Sequence, residues 1–175
     1  LDVGDYNQKH DPSFHADEYV IVTPEEFLPA IVDRFGQFDV VISSHNLEHC
    51  HQQDRVVAAM ARALRPGGRI FLAFPAAMTV RLPSRKGTLN FYDDQTHVAP
   101  PDYNSVLKSL SAEGVDIDFA AQRYRPPFYF LAGLLSEPYS RWRNSVNPGT
   151  WALYGFETVI WGTKSRGNQT ELLDG

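Results

Sequence analysis

The stretch Phe38 to Pro75, FDVVISSHNLEHCHQQDRVVAAMARALRPGGRIFLAFP, limits the fold more than any other part of the sequence. Phe38 to Ile42 is a nearly unbroken apolar run rich in β-branched residues, the pattern of a strand buried on both faces of a parallel sheet. From Gln53 the apolar residues fall at Val56, Val57, Met60 and Leu64. This is a helical stripe, with Arg62 and Arg65 in its last turn, where positive charge suits the helix dipole. Pro66-Gly67-Gly68 is the expected stop, and Ile70 to Phe74, closed by Pro75, reads as a second buried strand. The result is a βαβ unit whose polar residues, from Ser43 onward, gather at the end of the first strand.

The rest of the chain extends this pattern. Glu18 to Val22 alternates into a short strand. Thr23-Pro24-Glu25-Glu26 carries a capping-box pattern ahead of a short helix with Phe27, Leu28, Ile31, Val32 and Phe35 on its apolar side. Arg81 to Val98 has no apolar period and is dense in hydrogen-bonding side chains, so it reads as a functional loop. A helix through Tyr103, Val106, Leu107 and Leu110 ends at Gly114, and Val115 to Tyr124 alternates as a strand near a sheet edge. Residues 126–149 hold FYFLAGLL, too short to span a bilayer. They are expected to form a helical insertion packed on the sheet, with a substrate lid or a homodimer surface as alternatives. Trp151 to Trp161 reads as the final strand, with Gly155 as a bulge, and residues 165–175 as a polar tail outside a single domain of residues 1–164.

FDVVISSHNLEH, a helix, and then RALRPGGRIFLAFP together resemble the second half of a class I S-adenosylmethionine-dependent methyltransferase of the type 11 group, from its fourth strand through its fifth. The resemblance implies an α/β three-layer, Rossmann-like fold with a mostly parallel sheet and an antiparallel C-terminal edge, and S-adenosylmethionine as cofactor. It also assigns positions. In the family an acid at the end of the second strand holds the cofactor's ribose hydroxyls, and Asp2 is the matching residue, with an ordinary terminal Asp as the alternative. The segment after the third strand borders the adenine, which points to Glu25 or Glu26, unless these only favour a helix N-terminus. The end of the next strand, at Ser43, Ser44 and His45, would face the methionine part of the cofactor and the acceptor. The family's first strand and glycine-rich turn have no counterpart in the sequence. The chain also begins at Leu1 without methionine, so a fragment or trimmed chain is expected.

Two polar clusters carry the candidate chemistry. His45, Glu48 and His49 spell H-x-x-E-H, the inverted zinc-protease motif, but these residues directly follow a strand rather than sharing a helix, so no metal site is expected. His45 is instead a candidate general base for an acceptor hydroxyl, or a residue that only hydrogen-bonds the loop. NFYDDQTHVAPP is similar to a D-x-T-H-x-x-P signature found after the fifth strand in bacterial methyltransferases of surface-polysaccharide and sugar modification. Asp94 and His97 match it. A carboxylate that orients an imidazole suits deprotonation of a hydroxyl as it attacks a sulfonium methyl, and a cap-and-turn network is the competing reading.

The formal net charge of -5 argues against a general nucleic-acid surface. A single cysteine, Cys50, excludes an internal disulfide and fits a reducing, cytoplasmic setting. The expected function is methyl transfer to a small-molecule or saccharide acceptor at oxygen. A methyltransferase-like binding or assembly module that has lost its cofactor is the alternative.

Overall fold

A computed structural model describes residues 2–4, 18–23 and 25–166. Two short parallel strands, β1 (Asp2–Gly4) and β2 (Tyr19–Ile21), form their own two-stranded sheet. Helix α1 (Phe27–Val32) follows, opened by half of the capping box, in which the Glu26 carboxylate accepts from the Thr23 N–H at 3.1 Å. Pro29 is tolerated because it lies in the first turn, where its missing N–H has no helical acceptor.

The main sheet holds four strands in the order β3-β4-β6-β5. Strand β3 (Phe38–Ser44) and helix α2 (Gln53–Ala63) lead into β4 (Leu64–Pro75), which pairs parallel to β3. This is the βαβ unit expected from the sequence, with one difference. Leu64 is already extended, and Pro66-Gly67-Gly68 lies inside β4 rather than capping α2. The ladder absorbs these residues as a bulge, since Phe38 pairs with Leu64 but Val40 pairs with Arg69. Gly67 takes φ +84°, which a side chain rarely adopts.

Helix α3 (Tyr103–Ala112), capped by Asp102 accepting from Ser105 N–H at 2.8 Å, precedes strand β5 (Val115–Ala121). Helices α4 (Pro127–Arg143) and α5 (Thr150–Tyr154) then lead to β6 (Glu157–Lys164), antiparallel to both β4 and β5. The antiparallel C-terminal edge is therefore present as expected. The final strand begins later than expected, however. Trp151 to Tyr154 is helical, and Gly155, at φ +63°, caps α5 instead of bulging a strand. An apolar run such as WALYGFETVIW fits a buried helix as well as a strand, and packing against α4 decides between them.

The core lies between α1, α2 and α3 and one face of the sheet, where Val57, Met60, Val106 and Leu110 meet Ile70, Leu72 and Phe74. On the other face, Ile42, Phe71, Trp161 and Phe119 form a cross-strand row, and Phe119 stacks on Trp161 at 4.2 Å. Ile42 stays 69% exposed, and the three helices of the core lie across the sheet from it.

Candidate active site

The carboxyl ends of β3 and β4, the start of the antiparallel β6 and the loop before α3 converge on one edge of the sheet. Parallel α/β sheets place their ligands at this edge. His45 marks it. Its N–H still bonds the Ala73 carbonyl at 2.9 Å, and the chain then turns sharply with His45 at φ 52°. A non-glycine residue in this left-handed region is strained and persists only where its surroundings hold it.

Two carboxylates hold the His45 ring. Nδ1–H donates to Glu48 Oε1 at 3.1 Å, and Nε2–H donates to Glu157 Oε1 at 2.8 Å. The ring also lies against Trp151, with centroids 5.2 Å apart. Burial disfavours the charged ring, but the hydrogen bonds to Glu157 and Glu48 outweigh it and raise the pKa to about 9. His45 is thus an imidazolium at neutral pH with both N–H groups committed. Of the two roles expected for His45, this geometry matches the one in which it hydrogen-bonds its loop.

Glu48 is wholly buried in a 3-10 turn, Leu47–His49, and its Oε2 has no hydrogen-bond partner. Ser43, at the end of β3, is 5% exposed, and its Oγ is likewise unpartnered, while Ser44 faces out. Buried polar atoms without partners are rare and each calls for a reason. Cys50 is buried just beyond, and burial together with the Glu48 charge pushes its thiol up to about 11, which leaves it unreactive.

The loop after β4 is built around Asp93, whose carboxylate accepts from the N–H groups of Arg85, Leu89 and Asn90 and from the Ser84 hydroxyl. It is a structural hub. Asp94 instead accepts from Thr96 N–H at 2.8 Å and Thr96 Oγ1 at 2.6 Å. Burial works against its ionisation, but these donors outweigh that and hold its pKa below the usual value. The Thr96 hydroxyl, having given its proton to Asp94, accepts from His49 Nδ1 at 3.0 Å. His97 is nearly buried. Its Nδ1 lies 2.6 Å from the Phe91 carbonyl, which can only accept, so Nδ1 carries a hydrogen and Nε2 is the ring nitrogen turned toward the cluster. That nitrogen sits 3.8 Å from Asp94 Oδ2 and 3.9 Å from Glu48 Oε1.

The structure thus brings His45, His97 and Asp94 to one cluster, joined through Glu48. It does not bring His45 and His49 onto one helix face, as the inverted zinc motif would need: His45 turns to Glu157 and His49 to Thr96. Glu48, His49 and His97 do place donor atoms within 4.8 Å of one another. However, the 3.9 Å from Glu48 to His97 exceeds the about 3.3 Å between ligands of a tetrahedral zinc shell, and Glu48 already balances the His45 charge.

Glu157 is the residue the sequence reading missed. Once β6 starts at Glu157 rather than inside the WALYGF run, its carboxylate stands at the site edge. It lines a cavity of about 540 Å³ with Tyr124, Tyr129, Asn147 and Trp151. An acid breaking an otherwise apolar strand was the only signal available. A second cavity, of about 520 Å³, lies between α1 and α2 and is lined by Glu25, Cys50, His51 and Gln52. Glu26 is exposed, with its carboxylate used at Thr23. Asp2 opens β1, paired with Tyr19, and its side chain lies outside the described residues.

Comparison with known proteins agrees with this geometry. Residues 11–72 match the family model described as a methyltransferase domain. Over these residues the chain resembles that domain, and its α/β fold is that of class I methyltransferases. Among solved structures it is similar to an S-adenosylmethionine-dependent methyltransferase from Mesorhizobium loti, at 14% identity and TM-score 0.57, covering 86% of this chain and 72% of that one. It is also similar to a putative methyltransferase from Bacillus halodurans, at 16% identity and TM-score 0.54, covering 94% and 90%. A third is a putative sarcosine dimethylglycine methyltransferase from Galdieria sulphuraria, at 15% identity and TM-score 0.52, covering 86% of this chain. The chain spans 61% of the Galdieria protein and 56% of the [4+2]-cyclase SpnF. No curated protein matches the sequence. The kinship read from Phe38 to Pro75, and the mixed α/β sheet it implied, therefore hold.

Proposed function

We propose that this methyltransferase domain moves a methyl group from S-adenosylmethionine to a hydroxyl of a small-molecule or glycan-linked acceptor. The observation that carries the reading is His97, whose Nδ1–H is tied to the Phe91 carbonyl so that its Nε2 is turned toward Asp94 at the ligand-binding edge of the sheet. The residues present also fit the cofactor. Ser43 Oγ is an orphaned buried polar atom at the end of β3, Ser44 and the strained His45 follow it, and Glu25 lines the neighbouring cavity. Asp2 and Glu26 are assigned to the ribose and adenine by the family resemblance. When bound, the cofactor supplies an electrophilic methyl on a sulfonium.

The chain's own residues do the rest. The aromatic walls Tyr124, Tyr129 and Trp151 offer flat apolar faces to a sugar ring, and the Glu157 carboxylate accepts from an acceptor hydroxyl. The His45 ring keeps Glu157 aimed. His97, oriented by Phe91 and charge-balanced by Asp94, takes the hydroxyl proton as the oxygen attacks. Glu48 holds the two histidines in register. Because methyl transfer needs no covalent help from protein, alignment and exclusion of water carry most of the rate.

The test pairs calorimetric titration of S-adenosylhomocysteine with a turnover screen over sugar acceptors, on wild type, His97→Gln and Asp94→Asn. The expected result is unchanged binding with turnover lowered on the order of 10²- to 10⁴-fold in His97→Gln, the usual contribution of a positioned base. No binding by wild type would remove the methyl-transfer reading in favour of a binding module. Full turnover by His97→Gln would remove His97 from the chemistry.

A further inference from the structure

Helix α4 carries a feature that catalysis does not use. Phe128, Leu131, Leu135, Tyr139 and Trp142 recur at spacings of three and four residues, so they form one line along the helix. They are 85%, 56%, 86%, 53% and 76% exposed. On the opposite side Gly133 and Ser140 are buried, Gly133 directly against the Gly149 backbone. The helix is therefore seated by its small residues and turns its large ones outward, the reverse of an ordinary surface helix.

The charge around the line differs from the rest of the chain. Between residues 122 and 150 the only charged side chains are Arg123, Arg125, Glu137, Arg141 and Arg143, a net +3 within a chain of net -5. Glu137 is shared by Arg85 and Arg141, so it offsets Arg141 only in part and leaves Arg123, Arg125 and Arg143 uncancelled. The four arginines are exposed and stand at both ends of the apolar line. A second copy of the chain is a poor occupant. An isologous contact would set this cationic patch against itself, and Pro138 occupies the seam position between Leu135 and Trp142. Nor is any described helix long and apolar enough to cross a membrane.

We propose that α4 is a membrane-surface helix that lies in the headgroup region of an anionic lipid bilayer. Leucine and aromatic side chains enter the acyl boundary, and the arginines at either end meet lipid phosphates. Tyr and Trp suit that interface because they pair an apolar ring with a polar tip. Pro126 and Tyr129, at the start of this helix, also line the cavity that ends at Glu157. On the function proposed above, docking would open that cavity toward an acceptor carried on lipid, but the docking itself rests on α4 alone.

The test is co-sedimentation of the whole chain with phosphatidylcholine vesicles, with and without phosphatidylglycerol, with Trp142 emission as a second readout. Binding is expected only with the anionic lipid, to fall steeply with added salt, and to weaken on the order of tenfold or more in Leu135→Glu and in Arg141→Gln/Arg143→Gln. Leu135 is 86% exposed, so its variant should keep the wild-type circular dichroism and melting. Absence of binding to anionic vesicles by folded wild type overturns the proposal. So does a lipid-free dimer that Leu135→Glu dissociates, which would assign the face to a second copy. None of these readouts depends on turnover, so they stand or fall separately from the methyl-transfer reading.

Discussion

Two charge clusters meet α5, one around His45 against Trp151 and one around Arg85 at Tyr154, and they are built to different standards. Around Arg85, every strong group is satisfied. Its guanidinium forks onto Glu137 at 3.0 and 2.8 Å and also donates to Ser140 and Tyr154, while Tyr154 and Arg141 complete the carboxylate. Arg85 foremost, with Tyr154 and Arg141, holds the Glu137 carboxyl down to about 2. Around His45 the backbone is strained, and two buried oxygens, Glu48 Oε2 and Ser43 Oγ, lack partners. The closed cluster fixes α4 to the loop after β4. The open one keeps unspent hydrogen-bonding capacity at the ligand edge of the sheet, available to a bound molecule.

The sharpest way to break this contrast is Arg85→Ala. Removing one partner of a buried pair leaves Glu137 with only Tyr154 and the exposed Arg141, and a loss of about 3 kcal/mol in urea unfolding is expected. A loss below about 1 kcal/mol, the surface-pair value, would mean that the cluster does not anchor α4.

Next comes pH. The folded pKa of His45, about 9, lies above its ordinary value near 6.5. Its stabilisation is therefore complete below pH 6.5 and is lost as pH rises through 9, by at most ~3 kcal/mol. Wild type should lose stability across that window in thermal melts, and His45→Gln should show a flatter profile. Glu137 behaves in the opposite sense. Its lowered pKa means its contribution is present above the ordinary carboxyl value and is lost only as pH falls toward 2.

Gly133→Ala is a steric probe of the closed side. A Cβ there would stand 2.3 Å from the Gly149 carbonyl oxygen, so α4 must shift, with an expected cost of roughly 1–3 kcal/mol. The smallest effect sharpens the contrast most. Ser43→Ala removes a hydroxyl that has no partner, so stability should change by less than about 0.5 kcal/mol. Its affinity for S-adenosylhomocysteine should fall several-fold if that hydroxyl is kept for the cofactor. A large stability loss with unchanged affinity would make Ser43 structural.

The fold was legible where the local pattern was unambiguous. Phe38 to Ile42, the α2 stripe and the run Ile70 to Phe74 were read correctly as strand, helix and strand because apolar runs and stripes leave periodic signatures, although Val40 and Ile42 are exposed rather than buried on both faces of the sheet. The strand boundary at Leu64 and the helix at Trp151 were misread, since an apolar run does not report which way it will pack. In the candidate site, Asp94 and His97 were visible as a spaced motif. Glu157 was not, because nothing in its neighbours marks an acid that begins a strand beside a histidine 112 residues away.

By itself, then, the sequence determined the βαβ unit, its kinship and which polar residues follow β3 and β4. These depend on local periodicity and spacing, which are properties of the chain. Only the tertiary structure decided that His45 is held between Glu48 and Glu157, that the His97 Nδ1 faces the Phe91 carbonyl, and that α4 turns its large side chains outward. Protonation, tautomer and exposure depend on which distant groups come within hydrogen-bonding or packing distance, and that is set by the fold rather than by neighbours in sequence.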